Sequence, residues 1–236
     1  LEQLAGNEEN MKQLSADILS KEKIVSKLAI ALAEKREAGA KSLKAGVEKE
    51  LKELHMNGVR FGVQFSYPQD PEGFVEYRKE KLNPTPLGLG TMEFLFSPNP
   101  GEDLRPLAKI ASGGELSRIM LALKSILNEQ DTIPVMIFDE VDAGIGGRVA
   151  EKVGDKLKKV AETKQVFCIT HLPQIAGMAS SHYRVEKHVQ GKRTRSGIRQ
   201  LEFEERVEEV ARMSSGEKIT DASLKHAREL ILGAGL

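Results

Sequence analysis

At 236 residues, with 35 Lys and Arg balanced by 35 Asp and Glu, the chain has no bulk charge drawing it toward nucleic acid or an acidic partner. Apolar residues make up 40% and aromatics only 5%, with no Trp, which suits a helix-rich or α/β chain better than an all-β one. A single cysteine, Cys168, excludes an internal disulfide and fits a reducing cytoplasm. No apolar run approaches the ~18–20 residues of a membrane span, and no signal peptide opens the chain. It starts at Leu1, not Met, and is expected to be cut from a longer protein.

Residues 1–56 contain neither Pro nor an aromatic side chain. Leu4, Met11, Ile18, Val25 and Leu32 recur every seven residues, with Leu14 and Leu28 in the companion position, which predicts one strand of a coiled coil. After Leu32 the repeat slips to Leu43 and Leu54, at spacings of eleven, a stutter that locally unwinds a supercoil. The competing reading is a long amphipathic helix packed on its own domain. A single coil strand needs a partner helix, and no second heptad run follows. The partner is expected to be another copy or a segment outside this sequence. Asn57-Gly58 closes the helix, dividing the chain into an arm, 1–56, and a lobe, 57–236.

In VRFGVQFSY, Val59 to Tyr67, apolar side chains alternate, which predicts a half-buried strand. Residues 68–90 hold four of the nine prolines and read as an irregular loop. TMEFLFS, Thr91–Ser97, is a second alternating strand with Met92, Phe94 and Phe96 on one face. A helix is expected from Gly114 to about Asn128, turning Leu116, Ile119, Met120, Leu123 and Leu127 inward. Then come a buried strand, Val135–Phe138, a helix from about Arg148 to Ala161, and a second buried strand, QVFCIT. Apolar runs alternating with helices imply parallel strands under crossover helices, an α/β class. HYRVEKHV and SGIRQLEF form a hairpin around QGKRTR, and two helices close the chain.

Three stretches carry chemistry. First, the strand Val135–Phe138 runs into Asp139 and Glu140. Ligands of α/β sheets bind at the carboxyl ends of strands, where one carboxylate can hold Mg²⁺ and the next can orient an attacking water. Ordinary solvated acids at a strand end are the alternative. Second, in ASGGELSR, Ser112, Gly113 and Gly114 at a helix start present backbone N–H groups suited to a phosphate; a simple Ser cap is the alternative. Third, Thr170 and His171 end the strand QVFCIT in CITHLPQIA, where the imidazole either donates to a phosphate oxygen or serves a structural hydrogen bond.

SGGE lies about 20 residues before the strand bearing DE, and Thr-His follows about 30 residues after it. That order is similar to the second half of the ATPase head in the SMC-like branch of the ABC superfamily. The runs ASGGELSRIMLALK, FDEVDAGIGGRVA and ITHLPQIA resemble the RecN family of bacterial DNA double-strand-break repair and recombination ATPases over roughly residues 35–236. The resemblance implies the carboxyl-terminal lobe of a P-loop (ABC/SMC-like) ATPase head joined to a long coiled-coil helix. Ser112, Gly113, Gly114 and Glu115 would be the signature that meets the γ-phosphate of ATP held by a second copy of the head. Asp139 would be the magnesium residue, Glu140 the catalytic base, Asp142 the loop residue contacting the partner head, and His171 the histidine that senses the γ-phosphate. Ala111 stands where a generic signature begins with Leu.

ATP and Mg²⁺ are the implied cofactors. DNA, a homodimeric second head, the missing amino-terminal lobe and an outgoing coil helix are the implied partners, in the cytoplasm and at the nucleoid, without a membrane. ATP-driven head dimerisation would be coupled to holding or bridging DNA. No G-x-x-x-x-G-K-[ST] occurs in the chain, so this piece alone is expected to bind ATP weakly and hydrolyse none. A transporter nucleotide-binding subunit and a structural coiled-coil scaffold are the competing classes. Arg184, Lys187, Lys192, Arg193, Arg195 and Arg199 crowd the hairpin; either they neutralise DNA phosphates or the acidic stretch Glu202–Glu209 balances them.

Overall fold

The computed structural model describes residues 2–99, 101–109, 112–190, 193–216 and 218–233, the side chains of 2–8, 188–190, 193 and 194 excepted. It divides into two compact units, one formed by Leu1–Glu48 with Val59–Ala108 and the other by Lys49–Gly58 with Lys109–Leu236. Among the described residues, no helix is long and apolar enough to cross a membrane.

Helix α1 runs Glu2–Glu53, 52 residues, or roughly 78 Å at 1.5 Å per residue. Met11, Leu14, Ile18, Val25, Leu28 and Leu32 are all exposed, so the predicted seam is bare; the side chain of Leu4 lies outside the described residues. The helix stops in a Schellman arrangement. Met56 N–H donates to Leu51 O at 3.0 Å and His55 N–H to Lys52 O at 3.1 Å, with His55 left-handed at φ 57°.

In the first unit, β1 (Arg60–Ser66) pairs antiparallel with β4 (Thr91–Ser97), which pairs in turn with the short β5 (Arg105–Pro106). Phe61 faces Phe96 across that register, both are fully buried, and their rings lie 4.8 Å apart. Met92, on the face expected to hold Phe94 and Phe96, is exposed, because burial along β4 fades toward its Thr91 end.

Residues 68–90 are not simply a loop. They contain a hairpin, β2 (Val75–Tyr77) and β3 (Glu80–Leu82), turned by Arg78 and Lys79 at φ 54° and 70°. Three-residue strands are too short to display alternation, and the hairpin is held by packing: Val75, Tyr77, Leu82 and Leu89 cluster with Ala29 and Ala33 of α1. Tyr67 donates its hydroxyl to Glu37 at 2.8 Å. Arg78 also bonds Glu37 and lies 4.9 Å from the Tyr77 ring centre. Burial, then the Glu37 contact, pushes the Tyr67 phenol above its ordinary range.

The second unit holds α2 (Gly113–Leu127), β6 (Val135–Phe138), α3 (Gly147–Ala161), β7 (Gln165–Cys168), α4 (Pro173–Gly177), the β8 (Tyr183–Gln190)–β9 (Arg193–Gln200) hairpin, α5 (Phe203–Ser215) and α6 (Asp221–Gly233). Strands β6 and β7 are parallel, from Val135↔Gln165 to Phe138↔Cys168, with α3 as the crossover. That is the α/β unit expected from the sequence. The strands are not fully buried, however. Met136 and Phe138 are covered, whereas Val135, Ile137 and Phe167 are exposed; among the described residues β6 and β7 pair only with each other, and α3 packs against β7. In α2 the buried stripe is Gly114, Arg118, Ile119, Leu121, Ala122 and Leu123, and Leu127 stays exposed. Ala176, Val207, Val210, Ala211, Ala227 and Ile231 join α4, α5 and α6 into a separate apolar cluster.

Candidate functional site

The three motifs converge within the second unit, around the turn that follows β6. Ser112 caps α2, its Oγ accepting the Glu115 N–H at 3.4 Å. Ser117, one turn further, donates to the Asp139 carbonyl at 2.6 Å. Arg118 reaches the same turn, donating through Nη1 to Ala143 O at 2.8 Å and Val141 O at 3.4 Å. Burial lowers the pKa of this guanidinium, opposed by nearby Glu115 and Asp142, and a group so far up the scale stays charged. These contacts fasten α2 to the β6 end by side chain to carbonyl.

The glycines are needed for that closeness. A Cβ on Gly114 would stand 2.7 Å from Ala143 Cβ and 3.0 Å from the Glu140 carbonyl oxygen, and one on Gly113 would run into Glu140 Oε2. The Glu140 carboxylate therefore rests against the first residue of α2, where the free amides of a helix start favour negative charge.

Asp139 and Glu140 are both exposed. Asp139 Oδ1 accepts the Glu140 N–H at 2.9 Å, and Glu140 itself is left-handed at φ 56°, an uncommon conformation for a side chain of this kind. Among the described residues no group of three or more His, Cys, Asp and Glu side chains could hold a metal. Mg²⁺ needs no such cage, being held by one or two carboxylates with phosphates and water, and the exposed carboxylate of Asp139 suits that donor set.

Asp142 is buried, and its Oδ2 accepts the Thr170 hydroxyl at 2.5 Å and the His171 N–H at 2.9 Å. His171 Nδ1 lies 3.1 Å from the same oxygen. The turn and the β7 end are thus one hydrogen-bonded junction. Burial pushes the neighbouring Cys168 thiol up to about 12, with Asp142 and Asp139 adding to the effect.

Gly113 and Gly114 thus lie beside Glu140, Ser112 and Glu115 close the cap of the same helix start, and Asp142 joins His171; Ala111 lies outside the described residues. Sequence reasoning missed Ser117 and Arg118. The signal for Arg118 was a charge on the apolar stripe of α2, between Gly114 and Leu121, which demands buried acceptors. On the hairpin, Arg184 pairs with Glu209 at 3.2 Å and Glu186 at 3.3 Å, and Arg199 with Glu205. Two of the basic residues are therefore balanced by acids, as one of the two expectations held. Lys192 and the side chain of Arg193 lie outside the described residues.

No family model matches the chain. It is 37% identical over 233 residues to the DNA repair protein RecN of Bacillus subtilis, covering 98% of this chain and 40% of that protein. The DNA repair protein RecN of Deinococcus radiodurans is 43% identical over 235 residues, 98% of this chain and 39% of the relative. The chain thus spans about 40% of the length of the curated relatives it matches. Among solved structures, the Smc head domain with a coiled coil and joint from Pyrococcus yayanosii aligns with a TM-score of 0.48 and 18% identity, over 78% of this chain and 30% of that one.

Proposed function

The chain belongs to the RecN family of DNA repair proteins, and on that premise we propose that it is the carboxyl-terminal lobe of an SMC-like ATPase head with its coiled-coil helix. Residues 1–56 serve as the arm and 57–236 as the lobe. Asp139 holds Mg²⁺, which when bound supplies Lewis-acid stabilisation of charge on phosphate oxygens. Glu140 orients and deprotonates the hydrolytic water. The turn Ser112–Gly114 with Glu115 receives the terminal phosphate of a nucleotide carried by a second copy of the head, and His171 meets the phosphate at its own cleft. The loop from Asp142 faces the partner head through its backbone and small residues, because the Asp142 carboxylate is engaged within its own chain.

The observation that carries this reading is the meeting of all three motifs at one turn, with a carboxylate resting at the α2 start. The phosphate loop has to come from the amino-terminal lobe, since the chain contains no such motif. Head dimerisation on ATP then couples to holding DNA in double-strand-break repair, in the cytoplasm and at the nucleoid. In the full-length protein, Glu140→Gln is expected to lower DNA-stimulated ATP turnover by about 10²–10⁴-fold, the usual weight of a general base, with ATP binding retained. The isolated 236-residue chain is expected to turn over none. Undiminished turnover in full-length Glu140→Gln, or turnover by the isolated chain that Glu140→Gln removes, overturns the proposal.

A further inference from the structure

His171 presents two ring nitrogens in unlike surroundings. Nδ1 faces the Asp142 carboxylate, whose side chain is 4% exposed, while the His171 side chain as a whole is 72% exposed. The oxygen that Nδ1 approaches, Oδ2, already accepts the His171 backbone N–H at 2.9 Å. A backbone N–H can only donate, so Oδ2 is an acceptor at this junction. Thr170 fits the same assignment: its hydroxyl accepts the Leu172 N–H at 3.0 Å and gives its own proton to Oδ2. A bare Nδ1 at 3.1 Å would set a lone pair against the lone pairs of a buried carboxylate. A protonated Nδ1 turns the same approach into attraction.

We infer that Asp142 is a positioning residue that holds His171 in its Nδ1–H form, leaving Nε2 of this largely exposed side chain as the nitrogen that meets a ligand. The neutral ring then offers an acceptor at Nε2. It becomes a donor to a phosphate oxygen only by taking up a second proton, whose charge the buried carboxylate offsets. This consequence for phosphate rests on the proposed reading of the site; the tautomer does not. The inference also gives Asp142 a task inside its own chain: it ties the turn after β6 to the end of β7 and sets the chemistry of the ring there.

The test is two-bond ¹H–¹⁵N correlation NMR on the ¹⁵N-labelled 236-residue chain, with the His171 signals among the five histidines identified by their loss in His171→Gln. The expected wild-type pattern, above the ring's titration, has the proton on Nδ1 and a bare, downfield Nε2. Asp142→Ala is expected to release the ring toward the Nε2–H form, while Thr170→Val, which keeps the carboxylate, leaves the pattern unchanged. A wild-type ring protonated at Nε2 overturns the inference without any variant. So does an Nδ1–H ring that persists in folded Asp142→Ala. Should the tautomer hold while full-length protein hydrolyses ATP equally well with and without His171, the nucleotide reading of that residue fails and this assignment stands.

Discussion

Lys156 of α3 lies 8% exposed between two carboxylates of the α1 end, bonded to Glu50 and, at 2.8 Å, to Glu53. The three groups differ in how much water they keep. The side chain of Lys156 is 10% exposed, that of Glu50 20% and that of Glu53 45%. Which partner is removed should therefore matter more than whether the cluster is broken. Lys156→Met keeps the apolar stem and leaves two acids that can turn into solvent, so screening reduces the loss to about 0–1 kcal/mol. Glu50→Gln with Glu53→Gln leaves an ammonium buried with only amide oxygens as acceptors, at a cost of about 2–4 kcal/mol. Urea unfolding followed by circular dichroism measures both, read from midpoints at unchanged m-value.

The pH dependence of that cluster has two sides. The hydrogen bond from Lys156 holds Glu53 below its ordinary 4.5, so that contribution is present above pH 4.5 and lost as pH falls. Burial pulls Lys156 down, but the two carboxylates more than offset it and leave it above its ordinary 10.5, so its contribution is present below pH 10.5 and lost as pH rises. The penalty of the double Gln variant should accordingly be greatest between these limits and shrink beyond either. Lys156→Met costing more than the double Gln variant at neutral pH would refute the burial argument.

At the glycine turn, Gly114→Ala is expected to destabilise by about 1–3 kcal/mol, because the added Cβ meets Ala143 and the Glu140 backbone oxygen. Gly113→Ala meets only the mobile end of Glu140 and should cost less than half as much; equal losses in urea unfolding would contradict this placement. Cys168, with its thiol raised to about 12 by burial, is expected to resist Ellman's reagent at pH 8 in the folded chain and to react at once in denaturant. A folded thiol favoured in this way contributes stability below its ordinary value of 9.0 that is lost as pH climbs toward 12. Rapid labelling of the folded chain would sink the assignment.

The candidate site residues were legible in the sequence because each sits at an abrupt change of pattern: an apolar run meeting Asp139-Glu140, a glycine pair opening a helix, a strand closing on Thr170-His171. Their joinery was not. Ser117 and Arg118 bond backbone carbonyls of the 139–143 turn, and a carbonyl leaves no trace in residue type. The exposure of Ile137 and Phe167 was equally hidden, since apolar runs record what a strand can bury and not how many neighbours it has.

The break in the heptad pattern after Leu32 has a physical cause in the same unit. At about 100° per residue, Ala29 and Ala33 lie on a stripe that overlaps the seam of Met11, Ile18 and Val25, rotated from it by roughly 40°. That stripe is covered by Val75, Tyr77, Leu82 and Leu89, and a Cβ on Gly88 would stand 3.0 Å from Leu32 Cδ2. A second helix needs large side chains repeating every seven residues, whereas a hairpin lying across the helix needs small ones where its own rings and leucines enter. The two alanines meet the second demand and fail the first. Leu28, 65% exposed, and Leu32, 38% exposed, mark the handover from one kind of partner to the other. The seven-residue rule therefore lapses where the hairpin takes over the helix surface, and the spacing of eleven that follows reflects globular packing as well as any change of supercoil.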